Sequence, residues 1–369
     1  MEMRQPVEAN QLELGKPLPW DVYDTQNNLL LRKGYVITRE SQLQVLAARG
    51  IFVDSPFLRG SNTARRIEPS SYDAFRVWDY ILDELDALLR NVRVEPDFQR
   101  QLLGLARLVQ QLAERSPDGA LAAMILTDQR RYPIIHSLHT AVLCELVARR
   151  LEWQAERRTS LACAAMTMNL AMVELQQLLC SQRRAPSPEQ RREIQRHPSL
   201  GEEMLRGAGI TDETWLAAVR DHHERVGGGG YPFGITAPGE EARLIQTADI
   251  FSAKVSPRAA RAPVTSAEAA RSLFIDSGNE PNVFAAALVK EIGIFPPGTC
   301  VALANGETGI VHSRGKLANA PMVISLASST GLSYGQPLRR DTSNKEFEIR
   351  AVVPRDKMRF RIRPEQLWR

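Results

Sequence analysis

The chain has 369 residues, 43% of them hydrophobic, and a formal net charge of +4, so it can bury a sizeable core and hold two or three domains. Because it contains no run of about 18 apolar residues and no basic-then-apolar N-terminal pattern, we expect neither a membrane span nor a secretory signal. Its four cysteines stand singly, without a Cys-x-x-Cys pair, which argues against a disulfide framework or a thiolate zinc site and favours a cytoplasmic protein.

The first part of the chain, residues 1–62, has the pattern of a small α+β module. The segment GKPLPWDVYDTQNNLLLRKGYVI contains short β-prone runs separated by the turn signals DTQNN and RKG. The segment TRESQLQVLAARG that follows has apolar residues at helical spacing and ends in glycine, which predicts a capped helix.

Residues 63–117 are predicted to form a helical linker. Apolar side chains recur there at helical spacing, among them Phe75, Trp78, Leu85 and Leu102. Helices this rich in leucine also suggest a contact between two copies of the chain, so a homodimer is kept as a hypothesis.

The remainder divides into a helical domain, 118–292, and an antiparallel β domain, 293–369. The helical pattern is interrupted mainly by prolines and by the glycine run 227–230, whereas the last part has alternating apolar residues and glycine-rich turns. The predicted fold is therefore mainly α, a helical bundle flanked by a small N-terminal α+β module and a small C-terminal antiparallel β domain. The basic residues of SQRRAPSPEQRREIQRHP interleave with acidic ones, as on solvated helices, so we expect no nucleic acid polymer as a partner.

The polar exceptions in the helical domain have the chemistry of metal ligands. They are His136, His197, His222, His223 and Asp249. Neutral imidazole and carboxylate bind first-row metal ions, and adjacent histidines at a helix end can reach a shared ion. A single histidine on an apolar helix such as that of His136 also fits a hydrogen-bonded core residue, so each position alone leaves both interpretations open.

Four segments occur in a diagnostic order: HSLHTAV, RHPSLGEEML, DHHERVGGGGYPFG and ARLIQTADIFSAK. In these segments the chain resembles the HD-GYP family of bacterial metal-dependent phosphohydrolases, which hydrolyse the signalling dinucleotide cyclic di-GMP. The resemblance covers about residues 120 to 290. It implies an all-helical HD-type bundle, and the flanking modules are similar to those that accompany some members.

One family motif is altered. Where the family has roughly A-A-L-L-H-D-I-G-K, this chain has AAMTMNLAM, so that Met168 replaces the histidine, Asn169 the aspartate and Met172 the lysine. In the family that aspartate bridges two metal ions, and a neutral amide should weaken both sites. A thioether suits iron, manganese or magnesium poorly, and methionine supplies no charge for a phosphate. We therefore assign no catalytic residue and expect a degenerate active site.

The resemblance still implies one metal site. His197, His222 and His223 correspond to the second site of the family, and three imidazoles can hold one divalent ion of iron, manganese or zinc. The first site keeps only His136 and Asp249, too few without help from position 169. We expect at most one ion, and an empty pocket is the alternative.

The loop around the glycine run is the predicted ligand or partner contact. Arg225, Gly230, Tyr231 and Pro232 belong to it, and in the resembling family this loop borders the ligand site and has been implicated in contacts with diguanylate cyclase domains. Four consecutive glycines also fit a flexible connector without any partner. Arg243 is a further candidate for phosphate, with an ion pair to Glu240 or Glu241 as the alternative.

Three hypotheses on function remain. In the first, a degenerate HD-GYP protein binds cyclic di-GMP, or a signalling protein such as a diguanylate cyclase domain, without turnover. In the second, the remaining ligands support an active phosphodiesterase, and in the third the domain is a structural scaffold. Loss of residues that act as one unit argues against catalysis, and the cost of burying unpartnered imidazoles argues against a scaffold.

Overall fold

In the computed structural model the described residues are 4–7, 16, 18, 21–23, 29–37, 51–54, 72–127, 131–257, 259, 263–276, 282–358 and 364–368. The chain divides into two compact units, Met1–Glu68 and Pro69–Arg369. No helix among these residues is both long and apolar enough to cross a membrane.

The first unit contains an antiparallel sheet. Its strands are β1 (Arg4–Val7), β2 (Val22–Tyr23), β3 (Leu29–Leu31) and β4 (Ile51–Asp54), in the order β1-β4-β2-β3. Val22 on β2 and Ile37, which follows β3, are fully buried. The helix predicted at TRESQLQVLAARG lies outside the described residues.

The second unit is mainly helical up to residue 292, as the sequence predicts. Its described helices are α1 (Ala74–Arg90), α2 (Phe98–Arg115), α3 (Pro117–Leu126), α4 (Tyr132–Arg150), α5 (Ala155–Thr167), α6 (Val173–Ser181), α7 (Pro188–Gly207), α8 (Glu213–Asp221), α9 (Glu240–Val255), α10 (Ser266–Asp276) and α11 (Val283–Ile292).

The helix α4 lies at the centre of this unit. Every residue from Tyr132 to Ala148 is buried, which explains why the helix is apolar on all sides apart from a few polar positions. It packs against α1, α2, α3, α5, α6, α9 and α11. The polar side chains that α4 carries, including His136, are therefore held in the interior.

The described part of the predicted linker, residues 72–117, contributes directly to the same core. Trp78, Leu85, Leu102 and Leu112 are fully buried in it, because the apolar faces of α1 and α2 pack against each other and against α4. The leucines that suggested a homodimer are thus buried within the chain. These leucines therefore give no support to the predicted homodimer, which remains untested. The predicted domain boundaries also remain predictions.

The C-terminal part forms an antiparallel sheet, as predicted. Its strands are β5 (Cys300–Leu303), β6 (Thr308–Leu317), β7 (Ala320–Ala327), β8 (Ser333–Asp341) and β9 (Ile349–Val352), in the order β8-β7-β6-β5-β9. Arg314 on β6 joins the sheet to the bundle, since its guanidinium pairs with Asp118 and Glu291 at 2.7 Å each. A final helix, α12 (Pro364–Leu367), is followed by Trp368, whose indole N–H donates to the carbonyl oxygen of His312 at 2.8 Å.

Candidate functional site

Three imidazoles meet between α7 and the end of α8. His197 lies on α7, His222 directly follows α8, and His223 is the next residue. One ligand atom from each ring can be chosen so that all lie within 4.8 Å of one another. The Nε2 atoms of His197 and His222 are 3.2 Å apart, a separation that fits two ligands of one ion.

Backbone carbonyls fix the orientation of two of these rings. The Nδ1–H of His197 donates to the carbonyl oxygen of Ile194 at 2.6 Å, and that of His222 to Val219 at 2.7 Å. Each ring therefore carries its lone pair on Nε2, and the two lone pairs face each other. Metal-binding histidines are held in this way, with the second nitrogen donating to a carbonyl or carboxylate.

Burial keeps the three rings neutral. It lowers the pKa of His197 to about 3, with a further contribution from His222, and it also lowers the pKa values of His222 and His223. At neutral pH no proton is then available to bridge the two Nε2 atoms at 3.2 Å. A cation between them removes the repulsion of the lone pairs, so the donor set fits one divalent ion of the zinc or iron type.

His136 and Asp249 bind each other and form a separate pair. The Nε2 of His136 lies 2.6 Å from the carboxylate of Asp249 on α9, and its Nδ1 lies 3.2 Å from the hydroxyl of Ser252. Although burial alone would raise the pKa of Asp249, the hydrogen bond and charge of His136 bring it well below its usual range. Neither residue joins the group of described residues that could hold an ion, so the first site of the family is not assembled here.

The altered motif lies at the end of α5. Met168 is fully buried in the apolar core, Asn169 is 4% exposed, and Leu170–Met172 form a 3-10 turn that packs against α7. The amide of Asn169 forms no hydrogen bond with another described residue. Met168 thus serves packing, whereas Asn169 leaves a polar side chain without a protein partner in the described structure.

Gly201 lies close to the altered motif and to Val219, with room for a Cβ at ordinary contact distances. A Cβ on Gly201, one turn after His197, would lie 3.4 Å from Val219 Cγ1 and 3.9 Å from the Met168 carbonyl oxygen. Val219 supplies the carbonyl that orients His222. The start of the altered motif therefore lies beside the two elements that carry His197 and His222.

Two positioning residues were not singled out from the sequence. Glu224 is 1% exposed, and its Oε1 accepts the backbone N–H groups of Phe233 at 2.7 Å and Gly234 at 3.0 Å. Gln246 on α9 donates to the carbonyl oxygens of His222 at 3.2 Å and Glu224 at 2.8 Å. These bonds tie the histidine pair to the glycine loop and to α9. A carboxylate directly after the two histidines was the available signal for Glu224.

The glycine run has a defined conformation. Gly227, Gly228 and Gly229 have φ values of +81°, +93° and +77°, in the region that glycine adopts without strain. Gly230 is needed for space, since a Cβ there would lie 2.5 Å from Glu224 Cα and 2.6 Å from the Arg225 nitrogen. With Gly227 N–H bonded to the carbonyl oxygen of Thr236 at 2.9 Å, these contacts do not support the flexible-connector interpretation.

The rest of the loop surrounds His223. The Tyr231 ring stacks on His223 with centroids 4.6 Å apart, and Pro232 next to it is half-buried. Burial and the charge of Asp249 raise the pKa of Tyr231, while Arg225 acts in the opposite direction. Arg225 is exposed and forms no ion pair with a described residue. The loop therefore brings a phenol and a free guanidinium to the edge of the imidazole cluster.

The ion pair considered as the alternative role of Arg243 is not formed among the described residues. Glu240 and Glu241 both pair with Arg157, at 2.7 Å and 2.6 Å, because that guanidinium reaches both carboxylates from α5. Arg243 instead lies over the ring of Phe284, 5.5 Å from its centroid. It is therefore an unsupported candidate for a phosphate contact.

Sequence comparison relates the helical region to known proteins. The model of the HD domain family matches residues 120–283. A cyclic di-GMP phosphodiesterase of Pseudomonas aeruginosa, PA4108, is 28% identical over 209 residues, which cover 55% of this chain and 50% of that protein. The 3'3'-cGAMP-specific phosphodiesterase 3 of Vibrio cholerae is 29% identical over 171 residues, 45% of this chain and 36% of the relative. The chain thus spans half or less of these relatives.

A third relative and a solved structure complete the comparison. The cyclic di-GMP phosphodiesterase response regulator RpfG of Xanthomonas campestris is 41% identical over 69 residues, 18% of either chain. Bd1817, an HDG"Y"P protein from Bdellovibrio bacteriovorus, aligns with a TM-score of 0.53 and 15% identity over 78% of this chain and 99% of that one. At this identity the likeness supports the fold alone.

Proposed function

Because residues 120–283 are an HD domain, we propose that the chain acts in cyclic dinucleotide signalling by binding cyclic di-GMP without hydrolysing it. The observation that carries this proposal is the contrast within one pocket. The imidazoles of His197, His222 and His223 lie close enough together to bind one metal ion. The two positions that would bind a second ion hold Asn169 and Met168 instead of aspartate and histidine.

The imidazole cluster is the proposed anchor for the ligand. His197, His222 and His223 would hold one divalent ion, which when bound supplies a Lewis acid for a phosphate oxygen. Around it, Arg225 offers a guanidinium that is free of ion pairs with described residues, and Tyr231 offers a phenol beside His223. A fork of N–H donors suits phosphate. These groups support recognition of a phosphodiester.

Hydrolysis is not part of the proposal, because its chemical requirements are missing. A neutral amide at Asn169 cannot hold two cations together, and the side chain of Met168 is buried in the core. His136 and Asp249 are bonded to each other at 2.6 Å. Residues that act as a unit fail together, so losing this set should lower the rate by many orders of magnitude.

Burying unpartnered imidazole nitrogens lowers the stability of the fold, and this argues against a purely structural role. His197 and His222 are 1% and 0% exposed, and their facing lone pairs have no donor between them. Buried polar groups without partners are destabilising, so a scaffold has no physical reason to retain this arrangement. An ion and a ligand would satisfy it.

A signalling protein such as a diguanylate cyclase domain is the second candidate for the same loop. Val226 and Phe233, on either side of the glycines and Tyr231, are 49% and 62% exposed. Exposed apolar side chains beside a binding loop favour a protein contact. A Phe233→Ser variant tests this candidate, since it should weaken binding of a purified diguanylate cyclase domain and leave dinucleotide affinity unchanged.

Calorimetry on protein loaded with manganese tests the main proposal. We expect cyclic di-GMP to bind with a dissociation constant of tens of micromolar or less, about −6 kcal/mol or stronger, and chromatography to recover it intact. A His222→Ala variant should lose both the ion and the ligand. The relatives motivate a parallel titration with 3'3'-cGAMP. Turnover of either ligand would support the phosphodiesterase hypothesis, and absence of binding would support the scaffold.

A further inference from the structure

Asn169 is the polar side chain of the altered motif, and its surroundings leave its amide unused. The residue is 4% exposed, and its side chain forms no hydrogen bond within the described part of the chain. Its backbone carbonyl is already occupied by the N–H of Met172 at 2.9 Å. Neither amide atom is among the fully buried, unpartnered side-chain atoms of the described residues, so the amide reaches solvent and is available to a ligand.

The position of Asn169 identifies which groups lie near it. The residue directly follows α5, which packs against α8, and it precedes the 3-10 turn that packs against α7. The carbonyl oxygen of the preceding Met168 is 3.9 Å from the space beside Gly201, one turn after His197. Asn169 is therefore held between the elements that present His197 and His222.

Three groups of the pocket accept hydrogen bonds, and this indicates the role of the Asn169 amide. The facing Nε2 atoms of His197 and His222 are acceptors, and the carboxylate of Asp249 is also an acceptor. Phosphodiester oxygens accept hydrogen bonds and donate none. An anionic ligand therefore needs N–H or O–H donors there, and an asparagine side chain supplies two N–H groups where an aspartate supplies none.

We infer that Asn169 donates its side-chain N–H to a non-bridging phosphate oxygen of the bound dinucleotide. This inference rests on the proposed function, because it names the chemistry by which that site holds its ligand. The position that bridges cations in the resembling family thus contributes a phosphate donor in this chain. The change from carboxylate to amide removes a negative charge that would repel the phosphate and adds a donor that attracts it.

The test compares Asn169→Ala and the isosteric Asn169→Asp with the wild type, each at one equivalent of manganese per chain. Calorimetry with cyclic di-GMP measures affinity, and inductively coupled plasma mass spectrometry measures bound metal after desalting. We expect both variants to bind the dinucleotide roughly tenfold more weakly or worse, with metal content unchanged. Met168→Leu, an apolar replacement at the adjacent buried position, is the matched control and should keep wild-type affinity.

The outcomes separate this inference from the proposal beneath it. Wild-type affinity in both Asn169 variants would overturn the donor role and leave the binding function standing. Loss of the ion in Asn169→Ala would also overturn it, because the amide oxygen would then be a metal ligand. No binding by the wild type would overturn the proposed function and the inference together. Thermal melts of each variant establish that it is folded, and Asn169→Asp preserves the shape of the side chain.

Discussion

The Nε2 atoms of His197 and His222 face each other at 3.2 Å while both rings donate their Nδ1–H groups to backbone carbonyls. Neither nitrogen can satisfy the other, because both carry lone pairs when the rings are neutral. Burial lowers the pKa values of both rings. The arrangement of these donor atoms therefore fits one cation, whereas Met168 and Asn169 stand where the resembling family has the ligands for a second.

Removing one of these rings should remove the ion. We expect His197→Ala, loaded with manganese or zinc and desalted, to retain much less than the wild-type content of about one ion per chain. His312→Ala is the control and should keep its ion, because His312 lies on β6 and its Nε2 is 2.9 Å from the carbonyl oxygen of Leu367. Metal loss in His312→Ala would contradict this assignment.

Gly230 should be intolerant of any side chain. A Cβ would meet backbone atoms of Glu224 and Arg225 at 2.5 Å and 2.6 Å, so Gly230→Ala should lower the free energy of unfolding by about 1–3 kcal/mol and weaken metal binding through displacement of the adjacent His223. Urea titration measures the first effect and metal analysis the second.

Gly104→Ala provides the control for Gly230→Ala. Gly104 lies within α2, and a Cβ there meets nothing within 4 Å. It should stabilise the protein by up to about 1 kcal/mol through helix propensity. Equal effects of the two substitutions would show that the loop tolerates rearrangement.

His139 should make the protein sensitive to mild acid. Its ring is buried beside Trp78 with neither nitrogen hydrogen-bonded, and burial lowers its pKa to about 3. Because the unfolded chain binds this proton near pH 6.5 and the folded chain does not, stability is full above pH 6.5 and falls as the pH decreases towards 3. The loss from this one ring is about 2 kcal/mol by pH 5.

A His139→Leu variant measures this contribution. Leucine has no polar atoms to bury, so the variant should be at least as stable as the wild type at pH 7. Its advantage should grow by about 2 kcal/mol between pH 7 and pH 5. Denaturant titrations at several pH values provide the measurement, and parallel stability curves for the two proteins would refute the assignment.

Restoring the family motif should restore the second ion. The triple variant Met168→His, Asn169→Asp and Met172→Lys returns the bridging carboxylate and its neighbours, and we expect its capacity to rise from about one ion to about two. Met168 is fully buried, so a histidine there could prevent folding. The double variant Asn169→Asp and Met172→Lys, which keeps Met168, is therefore measured as well. If metal binding improves in neither variant, the alignment of this segment with the family is wrong.

The architecture was largely predictable from the sequence. The fold class is confirmed, and residues 120–283 match the HD domain family, because periodicity and four ordered motifs are local signals that survive in one chain. The pattern also identified the apolar residues of α1 and α2. It did not predict that they join the core around α4, since periodicity defines an apolar face but not its partner.

The three histidines that the structure brings together could be selected from the sequence, whereas several contacts around them could not be predicted. The mutual bond of His136 and Asp249 joins positions 113 residues apart, and the choice between binding each other and binding metal depends on neighbours such as Ser252. Arg157, on a different helix, pairs with both Glu240 and Glu241, the alternative partners considered for Arg243. Glu224 and Gln246 act through backbone groups of the loop, and such contacts leave little trace in composition or spacing.

The central claim is that this pocket holds one cation and an intact ligand. It is tested most directly by saturating the wild-type protein with manganese, desalting it, counting bound ions, and then analysing a cyclic di-GMP incubation by chromatography. The account predicts about one ion per chain with the dinucleotide bound and unchanged. Two ions per chain together with a linear or mononucleotide product would contradict it.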